Sequence, residues 1–330
     1  MRFGEVPLAE AEGAVLAHAL RLGGRRLAKG TEVTPALLAE ARAEGLTRLW
    51  VARAEPGDIP EAEAAARIAG PLAGAGIAAR APVHGRVNLH ATAAGLLLLD
   101  PEKLAAANAV SEAVGIATLA PMSPVAAGAL VATVKIIPFA VAETVVTAVA
   151  RTEACLSLAP FRAGICAALL PTLLGEASDK QLAKTETVTR DRLEGMGIAL
   201  EPLAPVPHAV APLAEALRRA GRWPLLLVAG ATATADPEDV IPAAIRAAGG
   251  AVLRTGMPVD PGNLLVLGQL GATTVIGLPG CAKSPKRNGL DLVLERFAAG
   301  LSISSAEVAR MGVGGLLEDS GRPVPWAWSG

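Results

Sequence analysis

The sequence predicts an α/β protein, in which a smaller α+β region precedes a three-layer αβα domain with a mostly parallel sheet. From about Phe161 onward, short apolar runs alternate with longer segments of helical pattern, as in βαβ units. The apolar runs that end near Gly230 and Gly277 are typical of buried strands, and each passes into small residues that begin a helix. We therefore assign 1–155 to the α+β region, 156–305 to the α/β domain and 306–330 to a C-terminal tail or linker.

Turn and capping signals define the elements of the first region. Gly23-Gly24 predicts a hairpin over 21–26, and Thr34-Pro35 predicts the N-cap and first residue of a helix over 35–44. Further helices are predicted at 7–13, 60–69 and 101–114, and strands at 49–52 and within 129–142.

In the second region, glycines mark the ends of several predicted helices. Gly197, Gly221 and Gly249 each follow a segment of helical pattern, as C-terminal glycines commonly do. The predicted helices are 188–196, 209–220, 237–248 and 285–299. The predicted strands are 164–174, 198–203, 224–228, 251–254, 264–267 and 273–276.

Composition argues against several classes of partner. The 330 residues carry a formal net charge of -1, which gives no general attraction to nucleic acid or to an anionic membrane. Aromatic residues make up 2% of the chain and Tyr is absent, so a base-stacking surface is not expected. The most apolar stretch, near 126–150, is interrupted by Lys135, Pro138 and Glu143, which argues against a membrane span.

The three cysteines, Cys155, Cys166 and Cys281, form no C-x-x-C pair. An odd count without that spacing argues against a disulfide framework or a structural zinc site. The N-terminus lacks the apolar core of a signal peptide. We therefore expect a soluble, cytoplasmic protein in a reducing compartment.

The segment 230–239 has the residues of an anion or metal site. Gly230 permits close approach of a ligand to the backbone, and free N–H groups at such a turn favour an anion. Asp236 and Asp239 are candidate Mg²⁺ ligands, because Mg²⁺ prefers carboxylate oxygens together with phosphate and water. The same residues also fit a helix start with Asp236 as N-cap, Pro237 at the first position and Asp239 in a capping box. The two interpretations remain open and can coexist.

The segment 277–287 contains a second candidate anion site. Ser284-Pro285 predicts a helix start, yet Lys283, Lys286 and Arg287 crowd its positive end. Those cations oppose the helix dipole unless an anion binds there, although long side chains can also extend into water. Cys281 in the same turn is either a reactive thiolate or a packing residue.

A third candidate contact is Lys184-Thr185, which enters a predicted helix and fits either an anion contact or a capped start with solvated charges. The four histidines, including His208, show no metal-ligand spacing. The chain has no Walker A run and no good G-x-G-x-x-G after a strand, so neither a P-loop nor a dinucleotide fold is supported.

Taken together, these motifs resemble the molybdopterin-binding domain shared by molybdopterin adenylyltransferase and molybdopterin molybdotransferase. That family has a Gly-Gly-Thr-Ser-like turn followed by an Asp, then a Pro-Gly segment, then Gly-Leu-Pro-Gly-Asn-Pro-Val-Ser. The counterparts here are Gly230-Ala231-Thr232-Ala233 with Asp239, Met257-Pro258-Val259-Asp260-Pro261-Gly262-Asn263, and Gly277-Leu278-Pro279-Gly280-Cys281-Ala282-Lys283-Ser284. The resemblance covers roughly 161–303.

The chain as a whole is most similar to a bacterial subgroup in which this region often precedes a molybdenum cofactor cytidylyltransferase domain. Short N-terminal segments at 6–13 and 29–31 resemble parts of the molybdotransferase. Several positions depart from the family pattern. Ala231 and Ala233 replace Gly and Ser, 281–283 reads Cys-Ala-Lys, and Lys184-Thr185 stands where the family usually has Ser-Asn. The molybdotransferase segment Ser-Ala-Met-Asp-Gly-Tyr-Ala is missing.

The resemblance implies binding of molybdopterin or molybdenum cofactor in cofactor biosynthesis. Molybdate insertion or nucleotide transfer at the pterin phosphate would make the chain a transferase that uses Mg²⁺ and ATP or CTP. The alternative is a non-catalytic carrier that partners a cytidylyltransferase or an apo-molybdoenzyme, and we expect a homo-oligomer in either case. Asp239 and Asp236 are the implied catalytic residues, with Asp239 as the metal ligand. The implied binding residues are Gly230, Ala231, Thr232, Ala233, Pro261, Gly262, Gly277, Pro279, Gly280, Cys281, Lys283, Ser284, Lys184 and Thr185.

Overall fold

The computed structural model describes residues 1–175 and 179–317, and the chain divides into two compact units. The first unit comprises 1–92, 97–123 and 127–158; the second comprises 93–96, 124–126 and the chain from Ala159 onward. The Pro-rich part of the predicted tail, 321–326, lies outside the described residues. Within them, no helix combines the length and the apolar character needed to cross a membrane.

Residues 1–160 form short strands and short helices. The helices are α1 (Pro35–Ala43), α2 (Glu61–Leu72), α3 (Pro101–Ala109) and α4 (Glu143–Ala150), with a 3-10 turn at Leu8–Glu10. The strands are β1 (Arg2–Pro7), β2 (Val15–Leu16), β3 (Leu20–Leu22), β4 (Arg25–Leu27), β5 (Arg48–Arg53), β6 (Asp58–Pro60), β7 (Ile77–Ala79), β8 (Arg86–Ala91), β9 (Gly95–Leu99), β10 (Val114–Thr118), β11 (Pro124–Val125), β12 (Leu130–Ile136), β13 (Ala140–Ala142) and β14 (Leu156–Pro160).

Antiparallel pairing dominates this part of the chain. One sheet has the order β1-β5-β2, a second has the order β10-β12-β8-β7, and β13 pairs with β6. The predicted hairpin is confirmed, because β3 pairs with β4 across Gly23 and Gly24, both with positive φ. The predicted cap is also confirmed, since the Thr34 hydroxyl accepts a hydrogen bond from the Leu37 amide at 3.3 Å.

The helix predicted over 101–114 is shorter than expected. It ends at Ala109, and Val114 begins β10. The Asn108 side chain bonds both the amide and the carbonyl of Ile116, at 2.8 and 2.9 Å. These two bonds tie the end of the helix to the next strand, so the apolar run 114–118 is extended rather than helical.

The second unit alternates strands and helices. Its strands are β15 (Cys166–Leu173), β16 (Ala199–Pro202), β17 (Val206–Pro207), β18 (Leu225–Ala229), β19 (Ala251–Thr255), β20 (Val266–Leu270) and β21 (Thr273–Gly277). Its helices are α5 (Asp179–Glu194), α6 (Val210–Ala220), α7 (Val240–Ala247), α8 (Gly289–Ala298) and α9 (Ser305–Arg310), with a 3-10 turn at Gly280–Lys283.

The predicted fold class is confirmed by the central sheet of this unit. Its order is β16-β15-β18-β21-β20-β19, with β17 also pairing β15. The pairs among β15 to β18 and β21 are parallel, whereas β20 and β19 are added antiparallel. The result is a seven-stranded, mostly parallel sheet.

Helices cover both faces of this sheet. On one face, Leu193 of α5 and Leu294 of α8 join a core that includes Leu227. On the other face, Leu217 of α6 and Ile245 of α7 join a core that includes Leu226. Because neighbouring residues of one strand point to opposite faces, β18 is buried along its whole length. This arrangement is the expected three-layer αβα domain.

The starts of two helices differ from the prediction. Helix α7 begins at Val240 with Asp239 as its N-cap, rather than at Pro237 with Asp236 as the cap. Helix α8 begins at Gly289 rather than at Pro285, because Asn288 and Asp291 form a capping box there. The Ser284 hydroxyl instead accepts a local bond from the Lys286 amide at 3.3 Å.

Two further differences concern helix bounds in this unit. Helix α5 begins by Asp179, earlier than the predicted 188, since the polar segment 179–187 is helical too. Helix α9 overlaps the region expected to be a linker, and its Val308 is fully buried in the core that also includes Leu294 of α8.

Helix α8 buries a charged pair. Glu295 is 0% exposed, and both of its carboxylate oxygens accept bonds from the Arg287 guanidinium, one of them at 2.8 Å. Burial raises the pKa of Glu295 from 4.5 to about 7, and the attraction of Arg287 opposes this rise only in part.

The raised pKa of Glu295 predicts a pH-dependent free energy of unfolding. The folded protein holds the Glu295 proton more tightly than the unfolded chain, so this stabilisation is complete below pH 4.5 and is lost as pH rises through about 7. We expect the free energy of unfolding to fall by about 3 kcal/mol over this window because of Glu295. Denaturant unfolding across pH checks this. Glu295→Gln should reduce the pH dependence of the free energy of unfolding, whereas Glu215→Gln, at an exposed position, should leave it unchanged. An equal pH dependence in the wild type and in Glu295→Gln would show that Glu295 is not its source.

Candidate anion-binding site

Three strand ends meet at one edge of the parallel sheet. In the register of the sheet, Pro171 of β15 lies beside Ala229 of β18, and Val228 lies beside Gly277 of β21. All three strands run in the same direction, so the segments that follow them leave the sheet side by side. Crevices at such carboxyl ends are where open parallel sheets bind ligands.

Two adjoining cavities lie at this edge. The larger has a volume of about 190 Å³ and the smaller about 50 Å³, and they share Thr185, Ala229, Gly230, Ala231 and Lys283 in their walls. The larger is otherwise lined by Pro171, Thr172, Leu173, Leu174, Gln181 and Leu182. The smaller is otherwise lined by Thr232, Ala233, Leu278, Pro279, Gly280 and Ala282. The turns after β18 and β21 therefore line one site, as expected for two such turns at the carboxyl ends of parallel strands.

The two glycines of these turns differ in their surroundings. A Cβ atom on Gly230 would lie 2.7 Å from the Thr232 carbonyl oxygen and 3.1 Å from Ile241 Cδ1, so this turn requires glycine. A Cβ atom on Gly280 would meet no atom within 4 Å. A side chain at position 280 would enter open space beside the smaller cavity.

Backbone donors are available in both turns. Within the described part of the chain, the amides of Thr232, Ala233 and Gly280 donate no hydrogen bond to another protein group. Unpaired amides at a turn favour an oxyanion ligand. The ammonium group of Lys283 adds a positive charge, since its exposed side chain lines both cavities.

Hydrogen bonds join the turn after β18 to two residues that sequence reasoning missed. Thr172, which is 2% exposed, accepts a bond from the Ala231 amide at 3.0 Å. Its hydroxyl lies 2.8 Å from His208 Nδ1, and His208 Nε2 lies 3.0 Å from the Thr232 hydroxyl. Thr172 is close to the end of a predicted strand and His208 precedes a predicted helix, which are signals of a site at a strand edge. No metal-ligand spacing surrounds His208, so that signal does not identify it.

A buried arginine forms hydrogen bonds with the backbone of the turn after β21. Arg192 of α5 is 8% exposed and bonds Asp291 Oδ1 through Nε at 2.7 Å. Its Nη groups donate to the carbonyls of Ala282, Ser284 and Lys286 at 3.0, 2.9 and 3.2 Å. One side chain thus fixes the backbone that carries Lys283.

Several residues implied by the resemblance lie outside both cavities. Gly262 packs against Gly289, and Gly277 packs against Val266 and Ile241, so their small size serves close contacts. The other residues that line neither cavity are Pro261, Cys281, Ser284, Lys184, Asp236 and Asp239. The implied residues that the structure brings together are Thr185, Gly230, Ala231, Thr232, Ala233, Pro279, Gly280 and Lys283.

The carboxylates of Asp236 and Asp239 bond local backbone amides. Asp239 accepts from Val240 at 2.6 Å and Ala235 at 3.2 Å, and Asp236 accepts from Glu238 at 2.7 Å. In the described residues, no three His, Cys, Asp or Glu side chains converge to bind one metal ion. These carboxylates do not make a resident metal site by themselves, and a role for Asp239 as a Mg²⁺ ligand stays a prediction.

Cys281 is not set up as a reactive thiolate. Burial raises the pKa of its thiol above 9.0, and the nearby Arg192 charge lowers it less than burial raises it. The neutral thiol is therefore favoured at neutral pH, which fits a packing role.

Comparison with known proteins finds similarity among solved structures. No protein-family model matches the sequence, and no curated protein matches it. Two crystal structures of the molybdopterin biosynthesis protein MoeA from Pyrococcus horikoshii are similar at 14% and 10% identity, with TM-scores of 0.32 and 0.28. Each alignment covers 91% of this chain and 76% of the other. A MogA structure is similar at 22% identity and a TM-score of 0.30, covering 44% of this chain and 99% of that one. Similarity at this level concerns no more than the fold.

The anchoring role of Arg192 predicts a large effect of Arg192→Met. The substitution leaves the buried Asp291 carboxylate without its ion-pair partner and removes the bonds to three carbonyls. We expect the free energy of unfolding to fall by about 3 kcal/mol or more in chemical denaturation. The matched control is Arg218→Met, which breaks an exposed pair with Glu215 and should change stability by at most about 0.5 kcal/mol. Similar losses in both variants would show that Arg192 does not hold the turn.

Proposed function

We propose that this chain binds molybdopterin or molybdenum cofactor in molybdenum cofactor biosynthesis. The observation that carries the proposal is the joint lining of one cavity by two separate motif turns. These turns, 230–233 and 279–283, are the segments through which the sequence resembles the molybdopterin-binding domain. In this proposal the pterin phosphate lies between them.

The chemistry of the cavity suits a phosphate. The amides of Thr232, Ala233 and Gly280, which bond no protein group among residues 1–175 and 179–317, supply donors, and Lys283 supplies positive charge. The larger cavity adjoins this position and includes Leu174, which is 66% exposed, together with Gln181. An apolar side chain beside polar ones fits a flat heterocycle that carries a phosphate group.

If the chain is a transferase, it would catalyse molybdate insertion or nucleotide transfer at the pterin phosphate. Catalysis would then come from positioning the phosphate and neutralising its charge. Asp239 and Asp236 would act only after a Mg²⁺ ion, with ATP or CTP, arrived alongside the phosphate.

The second candidate function is a non-catalytic carrier that delivers the cofactor to a cytidylyltransferase or an apo-molybdoenzyme. The hydrogen bonds of the Asp236 and Asp239 carboxylates to local backbone amides favour this alternative, because those oxygens already serve the start of α7. Incubation of the molybdopterin-loaded chain with Mg²⁺, molybdate and ATP or CTP separates the two. Release of pyrophosphate identifies a nucleotidyltransferase, and incorporation of molybdate identifies a molybdotransferase. Neither product, with binding intact, identifies a carrier.

Substitution of Gly280 tests the site without disturbing the fold. The open space around Gly280 can hold either an aspartate or an asparagine side chain, which are nearly equal in size. The charge of aspartate would repel a phosphate, whereas the neutral asparagine would not. We expect Gly280→Asp to weaken molybdopterin binding at least about tenfold in calorimetric titration, and Gly280→Asn to weaken it far less. Thermal unfolding should be similar for both variants. Equal affinities of the two variants would place the phosphate elsewhere, and failure of the wild type to bind would contradict the proposed function.

A further inference from the structure

We infer that His208 is a positioning residue that makes the Thr232 hydroxyl a hydrogen-bond donor to an anionic oxygen of the ligand. The inference rests on the proposed function only for the identity of that ligand, a pterin phosphate. The donor role itself follows from the hydrogen bonds among Thr172, His208 and Thr232.

The backbone fixes His208 beside two strand ends. Its amide donates to the Leu173 carbonyl at 2.7 Å, and Val206, two residues earlier, pairs with Thr172 in the sheet. The imidazole therefore lies between Thr172 at the end of β15 and Thr232 in the turn after β18, with one ring nitrogen within hydrogen-bond distance of each hydroxyl.

The geometry around Thr172 selects the tautomer of His208. The Thr172 oxygen already accepts the Ala231 amide at 3.0 Å, and its hydroxyl proton has two acceptors within reach. These are His208 Nδ1 at 2.8 Å and the Ala229 carbonyl at 3.4 Å. The contact to the Ala229 carbonyl is longer than the ordinary O–H···O range of about 2.5–3.0 Å, so the proton belongs on the path to Nδ1. A neutral imidazole that accepts at Nδ1 carries its own proton on Nε2.

The proton on Nε2 decides what Thr232 can offer. His208 Nε2 then donates to the Thr232 oxygen at 3.0 Å, which leaves the Thr232 hydroxyl proton without an acceptor in this chain of bonds. Thr232 lines the smaller cavity beside Gly280 and Lys283. Its hydroxyl therefore donates to a ligand oxygen, and an anionic oxygen is the strongest acceptor. In the opposite tautomer Thr232 would donate to His208 and could only accept from the ligand.

Two substitutions of His208 separate its contacts. A glutamine places its amide nitrogen near the Nε2 position and keeps a donor to Thr232. An asparagine places its amide near the Nδ1 position and reaches Thr172 only. We expect His208→Asn to weaken molybdopterin binding about fivefold to tenfold, and His208→Gln to restore affinity to within about twofold of the wild type. A purely structural role would instead make binding follow the thermal stability of the two variants.

Thr232 provides the matched test at the other end of the bond. Thr232→Val removes the hydroxyl at nearly constant shape and should weaken binding as much as His208→Asn, while Thr232→Ser should restore it. The double variant His208→Asn/Thr232→Val should lose no more than either single variant, because one interaction is removed in both. Additive losses would overturn the inference.

The tautomer can be observed directly in the wild-type protein. The chain has four histidines, and the spectrum of His208→Gln identifies the His208 ring signals by their absence. Nitrogen-15 NMR of the labelled imidazoles should show a protonated Nε2 and an unprotonated Nδ1 at pH above neutral. A protonated Nδ1 with a bare Nε2 would contradict the inference whatever the ligand.

The ligand measurements distinguish failure of this inference from failure of the proposed function. Titrations with molybdopterin and with inorganic pyrophosphate are run on the same variants. If molybdopterin binds but His208→Asn binds it like the wild type, the role of His208 is wrong and the proposed function stands. If the chain binds pyrophosphate but not molybdopterin, and His208→Asn weakens pyrophosphate binding, the donor role is supported and the pterin assignment is wrong. If the wild type binds neither, both are wrong.

Discussion

Parallel pairing of β15, β18 and β21 is the constraint on which the site depends. Because the three strands run together, their following segments leave the same edge of the sheet, and turns far apart in sequence line one cavity. The same pairing requires helices on both faces, since a parallel sheet is reached through crossover connections. Both the apolar character of β18 and the position of Gly230 directly after it follow from this parallel pairing.

Buried charge holds the loop that follows β21. A surface loop normally depends on its own backbone bonds, whereas 282–286 is bonded by Arg192 from below, and Arg192 is in turn paired with Asp291 of α8. A second pair joins Arg287, just before α8, to the fully buried Glu295 of that helix. Charged groups with so little solvent contact destabilise the fold strongly when one partner is removed. The position of Lys283 is therefore set by interactions in the interior.

The sequence was sufficient for those features that depend on local chemistry or on periodicity. The hairpin at Gly23-Gly24, the cap at Thr34 and the strand–helix alternation after Phe161 were predicted because each follows from a few neighbouring residues. The predicted helix starts at 237 and 285 were wrong because they rested only on a local signal, a proline after Asp or Ser. In both cases a residue further along the chain, Asp239 or Asn288, caps the helix instead through its own hydrogen bonds.

Side-chain contacts between distant segments were not predictable from one sequence. Nothing in the pattern around His208 indicates Thr172 or Thr232 as its partners, and nothing near Arg192 indicates the carbonyls of 282–286. Cations near Ser284 suggested an anion at a helix start. In the structure, the helix begins later, Arg287 is paired with Glu295, and Lys283 alone of that group lines the cavities.

The central claim is that the turns 230–233 and 279–283 bind one ligand together. Amide hydrogen exchange of the wild-type chain, measured with and without molybdopterin, tests this claim most directly. The account predicts that exchange slows in both turns at the same ligand concentration, while the exposed α1 surface in the first unit is unchanged. Protection of only one turn, or of neither despite binding, would contradict it.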